Sequence, residues 1–403
     1  MKGHDEESLG SGDSEPHSDD GERPRFAWHT RHTVFLVIAV LVLAAAIASS
    51  ITIPYYAITP GTAQSVERMI GVPKSAGHSH KGQVLLVDVQ LTPMRAIEWP
   101  WFALDSNAQI IGSSALLGPE SPGQYQVEGE LDMANAQQAA TVVALRRLGY
   151  KVAVRPDGAL IYAVLPGSPA ERWLPVGDVV TSVDHQVVRT NADLGRLLST
   201  YKPGATVTMG VLTYPKRTPK SVRVRLSAWR IEGTGKQATL ACPQYGTGLR
   251  FPLYHRSPET GMKVGEAPCI GALNVETNYQ VGKLPLHLDL SSEGIIGPSA
   301  GLAFTLGLIN RLDPYDLTGG HKVAATGTMS ILGQVGDVGG VAQKTVAVRS
   351  AGASVFFVPP QEYKVALAHA GSKLKVYAVS TVAQAIRILE QHYGGRMPRA
   401  KSG

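Results

Sequence analysis

Thr33–Ile53 carries no charged side chain, and Leu, Val, Ile and Ala dominate it. A helix rises 1.5 Å per residue, so a run of about 20 apolar residues crosses the hydrocarbon core of a bilayer. Arg23, Arg25 and Arg31 stand just before the run, and no Lys or Arg follows until Arg68. Basic residues stay on the cytoplasmic side, which places the N-terminus inside and the rest of the chain outside. A cleaved signal peptide is the alternative, since Ala46-Ile-Ala48 has the small residues of a cleavage site. The run exceeds a usual signal core, so the expectation is a retained single-pass anchor.

With 403 residues the chain is long enough for two or three domains. Its formal net charge is +6, and no Lys/Arg cluster with interleaved aromatics occurs, which argues against nucleic acid as a partner. The two cysteines, Cys242 and Cys269, form no C-x-x-C pair, so a cysteine-built zinc site is not expected. Outside the cytoplasm they can pair as a disulfide, but spacing alone does not decide whether they meet. His78 and His80 in a polar loop do not specify a metal site, and no metal or cofactor is expected.

Composition and pattern divide the chain. Residues 1–32 begin with a Ser/Gly/Asp/Glu-rich stretch too poor in apolar groups to fold, read as a disordered cytoplasmic tail. The anchor 33–53 leads to an extracytoplasmic N-terminal region, 54–149. It holds a strand at Gln83–Leu91 and an Ala-rich helix at Leu131–Leu148 closed by Gly149, with no site residue apparent in that helix. Residues 231–283 form a connecting segment with both cysteines and strands at Gly248–His255 and Ala272–Gln280. A short tail, 393–403, ends the chain.

Between these lies a unit at 150–230. It reads strand Lys151–Val154, an Asp157-Gly158 turn, strand Ala159–Val164, a third strand at Gly177–Val183, and a helix at Asn191–Thr200 with Asn191 as N-cap. Strands at Thr206–Val211 and Ser221–Leu226 follow. Asp157-Gly-Ala-Leu-Ile-Tyr162, Pro166-Gly-Ser-Pro-Ala-Glu171, Gly177-Asp-Val-Val180 and the helix before Lys202-Pro-Gly204 resemble a PDZ domain of the bacterial protease type. The resemblance implies that Gly158, Ala159 and Leu160 form the loop receiving a peptide carboxylate, with the peptide adding as a strand along Ala159–Val164.

The last unit, 284–392, alternates strand and helix: strands at Leu284–Leu290, Val323–Thr328, Val355–Val358 and Lys375–Val379, helices at Ser299–Leu312, Val341–Ser350, Gln361–His369 and Val382–His392. Gly297-Pro-Ser-Ala-Gly301 hands Ser299 to a helix start, where unpaired N–H groups can hold an oxyanion. On a 3.6-residue wheel Lys344 shares a face with Val341, Thr345 and Val348. Burial disfavours the ammonium, and a neutral amine can take a serine's proton. Snorkelling of Lys344 to solvent is the alternative. His287 and Asp289 on one strand face offer a rival triad with Ser299.

Glu293-Gly…Gly297-Pro-Ser-Ala-Gly301, Thr326-Gly-Thr…Gly333-Gln-Val…Gly339-Gly-Val-Ala-Gln-Lys344 and Ala351-Gly-Ala together resemble the proteolytic domain of Lon-type proteases. With the anchor and the PDZ-like unit, the order is similar to the membrane-anchored PDZ–Lon proteins of the YlbL type. The resemblance implies Ser299 as nucleophile, Lys344 as general base and Thr326 as the residue holding the lysine amine. Ile296 departs from it, standing where many Lon enzymes carry an acidic residue. No G-x-x-x-x-G-K-[ST] occurs, so no ATPase motor is expected.

The whole reads as an α+β multidomain protein: one transmembrane helix, a β-rich PDZ-like domain and a C-terminal Lon-like α/β domain. The expected activity is ATP-independent serine endopeptidase action on unfolded or membrane-associated proteins and peptides, by a monomer or a homo-oligomer. A non-catalytic, anchored peptide-binding scaffold is the alternative.

Overall fold

The computed structural model describes residues 26–118, 121–232, 239–242, 267–292 and 294–397. The tail before Phe26, the strand expected at Gly248–His255 and Glu293 lie outside the described residues. The chain divides into two compact units, Met1–Thr52 with Arg95–Glu98, and Ile53–Met94 with Trp99–Gly403.

The first unit is built on α1, Phe26–Ser50. Its window Thr33–Ser50, of mean hydropathy 2.6, is the one helical stretch among the described residues long and apolar enough to cross a membrane. The helix stops at Ser50 instead of running to Ile53. Pro54 disfavours helical geometry at Ile53, and the β-branched Ile51-Thr-Ile53 favours extended backbone. The Ile51 carbonyl accepts a hydrogen bond from the Ala96 amide at 3.0 Å.

The second unit holds two large sheets. In chain order its principal strands are β1 (Thr52–Ser65), β2 (Gln83–Arg95), β3 (Gln109–Gly112), β4 (Val154–Val164), β5 (Val179–Val183), β6 (Thr206–Thr213), β7 (Thr218–Arg225), β8 (Ala272–Val281), β9 (Lys322–Ala325), β10 (Val355–Val358) and β11 (Lys375–Ala378). Its principal helices are α2 (Pro122–Arg147), α3 (Asn191–Leu198), α4 (Gly301–Leu312), α5 (Val341–Ser350), α6 (Tyr363–His369) and α7 (Val382–His392).

The first sheet runs β11-β10-β9-β2-β1-β3. At its centre β9 pairs in parallel with both β2 and β10, Ala324 facing Leu85 on one side and Phe356 on the other. The run Val84-Leu-Leu-Val87 suits such a position, because a central parallel strand is buried on both faces. Val84 and Leu86 enter the core of α4 beside Phe304 and Leu308. Leu85 and Val87 enter the opposite core with Val341 and Val348 of α5. The segment expected as a separate N-terminal region therefore supplies half the sheet of the C-terminal unit.

The second sheet runs β8-β4-β5-β6-β7 and closes on α3. Three local expectations change here. Asp157-Gly158 is not a turn, because β4 runs unbroken from Val154 to Val164 and its register against β8 shifts near Thr277–Tyr279 instead. Helix α3 is capped by Thr190, not Asn191: the Thr190 side chain accepts from the Asp193 amide and the Asp193 carboxylate accepts from the Thr190 amide. Of Leu284–Leu290, only Asp289–Leu290 forms strand.

Helix α2 starts nine residues' worth of backbone earlier than the periodic Leu131 suggested, at Pro122. Ser121 caps it, reciprocally with the Gln124 side chain. One face of α2 sets Met133, Ala139, Ala140 and Ala144 into the core around α4. Another places Leu131 against Leu160, Tyr162 and Val179 of the second sheet.

Cys242 and Cys269 form a disulfide with a Cα–Cα distance of 6.1 Å, closing a loop of sequence separation 27 and pinning the chain just before β8. Replacing both by serine is expected to cost about 2–4 kcal/mol by loosening the unfolded-state constraint. Urea unfolding of the double variant beside the unreduced parent checks this, and equal midpoints would contradict it.

Candidate active site

Ser299 lies half-buried in a single 3-10 turn, Pro298–Ala300, that runs directly into α4. Gly297 enters this turn at φ 94, a left-handed backbone that favours glycine. The Ser299 carbonyl accepts from the Gly327 amide at 3.0 Å and from Thr326 Oγ1 at 3.2 Å. The Leu302 amide returns a bond to the Gly327 carbonyl at 3.1 Å. The strand β9 and the residues after it thus fasten the start of α4 through main-chain bonds.

Lys344 lies in α5 and is only 3 % exposed. Its face holds Val341, Thr345 and Val348 as the wheel indicated, and Gln343 of the same helix is buried too. Lys344 Nζ donates to Thr326 Oγ1 at 3.3 Å. Thr326, fully buried, accepts from the lysine and donates to the Ser299 carbonyl, using both capacities of its hydroxyl. The structure therefore brings Ser299, Thr326 and Lys344 together, with the threonine standing between the other two.

Burial lowers the Lys344 amine from 10.5 to about 8, against the opposing pull of the Asp88 and Glu362 carboxylates. Asp88, on β2, is engaged by the Thr62 amide at 2.6 Å and by the Thr62 hydroxyl at 3.1 Å. Glu362 accepts from the Val338 amide at 3.2 Å, while its second oxygen is buried without a partner. Desolvation outweighs the two carboxylates, so the site holds a larger neutral fraction of the amine than a free lysine has. Sequence reasoning missed both acids, since one comes from the N-terminal strand and the other from the turn before α6. His287 and Asp289 are both exposed.

A cavity of about 730 Å³ opens beside Pro298. Glu128, Asp132, Tyr162 and Glu276 line it together with Thr328–Leu332. Burial, and then the neighbouring Glu128 and Glu276, raise the Asp132 carboxyl to about 7. Its walls come from α2, β4, β8 and the loop after Thr328, so no short motif announced it.

Gly158, Ala159 and Leu160 lie inside β4. Ala159 pairs with Val180 on one side and Thr277 on the other. The expected peptide edge is filled by the chain itself: β8 pairs along Ala159–Val164 on one side, and β5 takes Ala159 and Leu160 on the other. Among the described residues β8 is the strand that ends the sheet on this side. Between β8 and α3 runs a groove of about 410 Å³, with Leu194 and Leu198 on the helix side and Ala272, Leu273 and Val275 on the strand side. Asn191 already bonds the Val275 carbonyl at 3.0 Å. The signal that would have found this groove is Ile270-Gly-Ala-Leu273, a glycine before an alternating strand, hidden by its place after the cysteine-containing segment.

Residues 146–226 match the family model for the PDZ domain, and residues 273–391 match that for the Lon protease (S16) C-terminal proteolytic domain. A Lon protease of Malacoplasma penetrans is 35% identical over 83 residues, covering 20% of this chain and 10% of that protein. A Lon protease of Mycoplasma mobile is 29% identical over 85 residues, covering 21% and 10%. An archaeal Lon protease of Thermoplasma acidophilum is 27% identical over 138 residues, covering 31% and 20%. The chain thus spans a tenth to a fifth of the length of these relatives. The crystal structure of a PDZ domain from an SdrC-like protein of Listeria monocytogenes is 22% identical, covering 18% of this chain and 74% of its own, at a TM-score of 0.17. This chain therefore joins a PDZ domain to the C-terminal proteolytic domain of the Lon (S16) proteases.

Proposed function

We propose that the chain is a membrane-anchored serine endopeptidase that works without ATP, with Ser299 as nucleophile and Lys344 as general base. The observation that carries this is the buried Lys344 amine, bonded through Thr326 to the residue that bears the hydroxyl. Ser299 Oγ attacks the substrate carbonyl while the neutral amine takes its proton. Backbone N–H groups around Ser299 receive the oxyanion. Lys344 then returns the proton to the leaving amine, and water repeats the cycle on the acyl-enzyme. Thr326 keeps the amine oriented throughout. Peptides or unfolded segments are the substrates, and the groove between β8 and α3 receives an extended segment by strand addition. The apolar α1 serves as anchor with the N-terminus cytoplasmic. The disulfide supports an oxidising compartment for the bulk of the chain.

The test is the pH dependence of turnover by the purified full chain in detergent micelles, with an unfolded protein substrate and no nucleotide. Only the neutral amine accepts a proton, and its fraction falls about tenfold per pH unit below the amine's pKa. With that value at about 8, kcat/KM is expected to rise with pH between 5 and 7 and level off above about 8. A flat profile, or one that falls over this range, rules out Lys344 as the base.

A further inference from the structure

Gly129 sits inside α2, where a glycine weakens a helix relative to alanine. Its surroundings explain its presence. A Cβ at this position would stand 2.8 Å from Ile296 Cδ1 and 3.1 Å from Ile296 Cβ and Cγ1. The Gly129 carbonyl accepts a hydrogen bond from the Gly297 amide at 2.7 Å. Both contacts fall on the two residues that lead into the Pro298–Ala300 turn. The same helix is held from its other side, where Leu131 packs on Leu160, Tyr162 and Val179 and the Asn135 amide bonds the Tyr162 hydroxyl.

We infer that Gly129 and Ile296 are positioning residues for the nucleophile: the bare backbone of α2 at Gly129 is the seat on which Ile296 rests, and this contact sets where the Ser299 turn stands. Ile296 occupies the place where an acidic neighbour was expected, and it holds the loop by packing on a helix backbone. The seat belongs to a helix that also packs on the PDZ sheet, so the placement of Ser299 depends on how α2 is docked there. The inference rests on Ser299 being the nucleophile.

The experiment compares the full chain with Gly129→Ala, Ile296→Ala and the double variant, in detergent micelles, reading kcat, KM and thermal unfolding on an unfolded protein substrate. A displacement near 1 Å at a reacting group lowers turnover by about 10²-fold. Gly129→Ala, whose new methyl displaces Ile296, is expected to lower kcat by about 10-fold or more with KM changed by less than about 3-fold. In the double variant the Cγ1 and Cδ1 atoms that the new methyl meets are gone, and because both changes act on one contact, kcat is expected to match that of Ile296→Ala, with no multiplication of the two losses. Wild-type kcat in Gly129→Ala overturns the inference. So does a double variant whose loss is the product of the two single losses, or a change in KM at constant kcat. Should Gly129→Ala fail to fold, Ile296→Ala decides: lower kcat at constant KM supports the seat, and wild-type kcat overturns it. Ser299→Ala, run in parallel, separates the two readings. Turnover by Ser299→Ala defeats the nucleophile, whereas an inactive Ser299→Ala beside a fully active Gly129→Ala defeats only the seat.

Discussion

Replacing Ser299 by alanine is expected to lower kcat/KM on an unfolded protein by at least about 10³-fold, the scale on which a nucleophile's loss is felt in hydrolases of this kind. The protein should remain as stable as its parent. Every hydrogen bond that fastens residue 299 to its neighbours is accepted by its carbonyl, from Gly327 and Thr326, and alanine keeps that carbonyl. Stability within about 0.5 kcal/mol is therefore expected, as for a change outside any packed contact. Peptide release and thermal unfolding, measured on one preparation, make the test. Undiminished peptide release from the alanine variant would remove Ser299 from the mechanism.

Replacing Lys344 by methionine should abolish turnover equally, yet make the protein more stable. The folded-state value of about 8 lies below the ordinary lysine value of 10.5. Below about pH 8 the lysine is charged in both states, and the fold bears the full cost of burying an ammonium. As pH rises from about 8 to 10.5 the folded amine becomes neutral first, and the penalty fades. A shift of this size corresponds to about 3 kcal/mol. The lost bond to Thr326 subtracts about 1 kcal/mol. Lys344→Met is thus expected to gain about 2 kcal/mol at pH 7 and little or nothing near pH 10. Denaturant midpoints at the two pH values measure it. A variant less stable than its parent at pH 7 would mean that Lys344 is not held as a costly buried base.

Elements whose signal is local were legible. Helix α5 and strand β10 have the expected limits, Val341–Ser350 and Val355–Val358, because an apolar period and a short β-branched and aromatic run need no distant partner to be read. Lys344 was found because helical spacing put it beside two valines. What failed depended on partners far away in sequence. Asp157-Gly158 has the chemistry of a hairpin turn, but pairing on both edges pulled the strand straight through it. Leu284–Leu290 alternates, yet only its last two residues find a strand to pair with, at Ile70 and Gly71. Gly129 carries no motif at all, and its meaning comes from an isoleucine on another element. The peptide edge was misplaced for the same reason, since sheet order cannot be read from strand content.

The interleaved sheet has a consequence for biosynthesis. The strand that carries the chain toward Thr326 pairs with Gln83–Leu86, so the sheet that supports Ser299, Thr326 and Lys344 cannot close until the ribosome has made the whole intervening stretch. At synthesis rates of about 5–20 residues per second that delay is on the order of ten seconds or more. During this interval the edge of Gln83–Arg95 that Lys322–Ala325 will fill stays open, a hazard of mispairing that the topology imposes on the nascent chain.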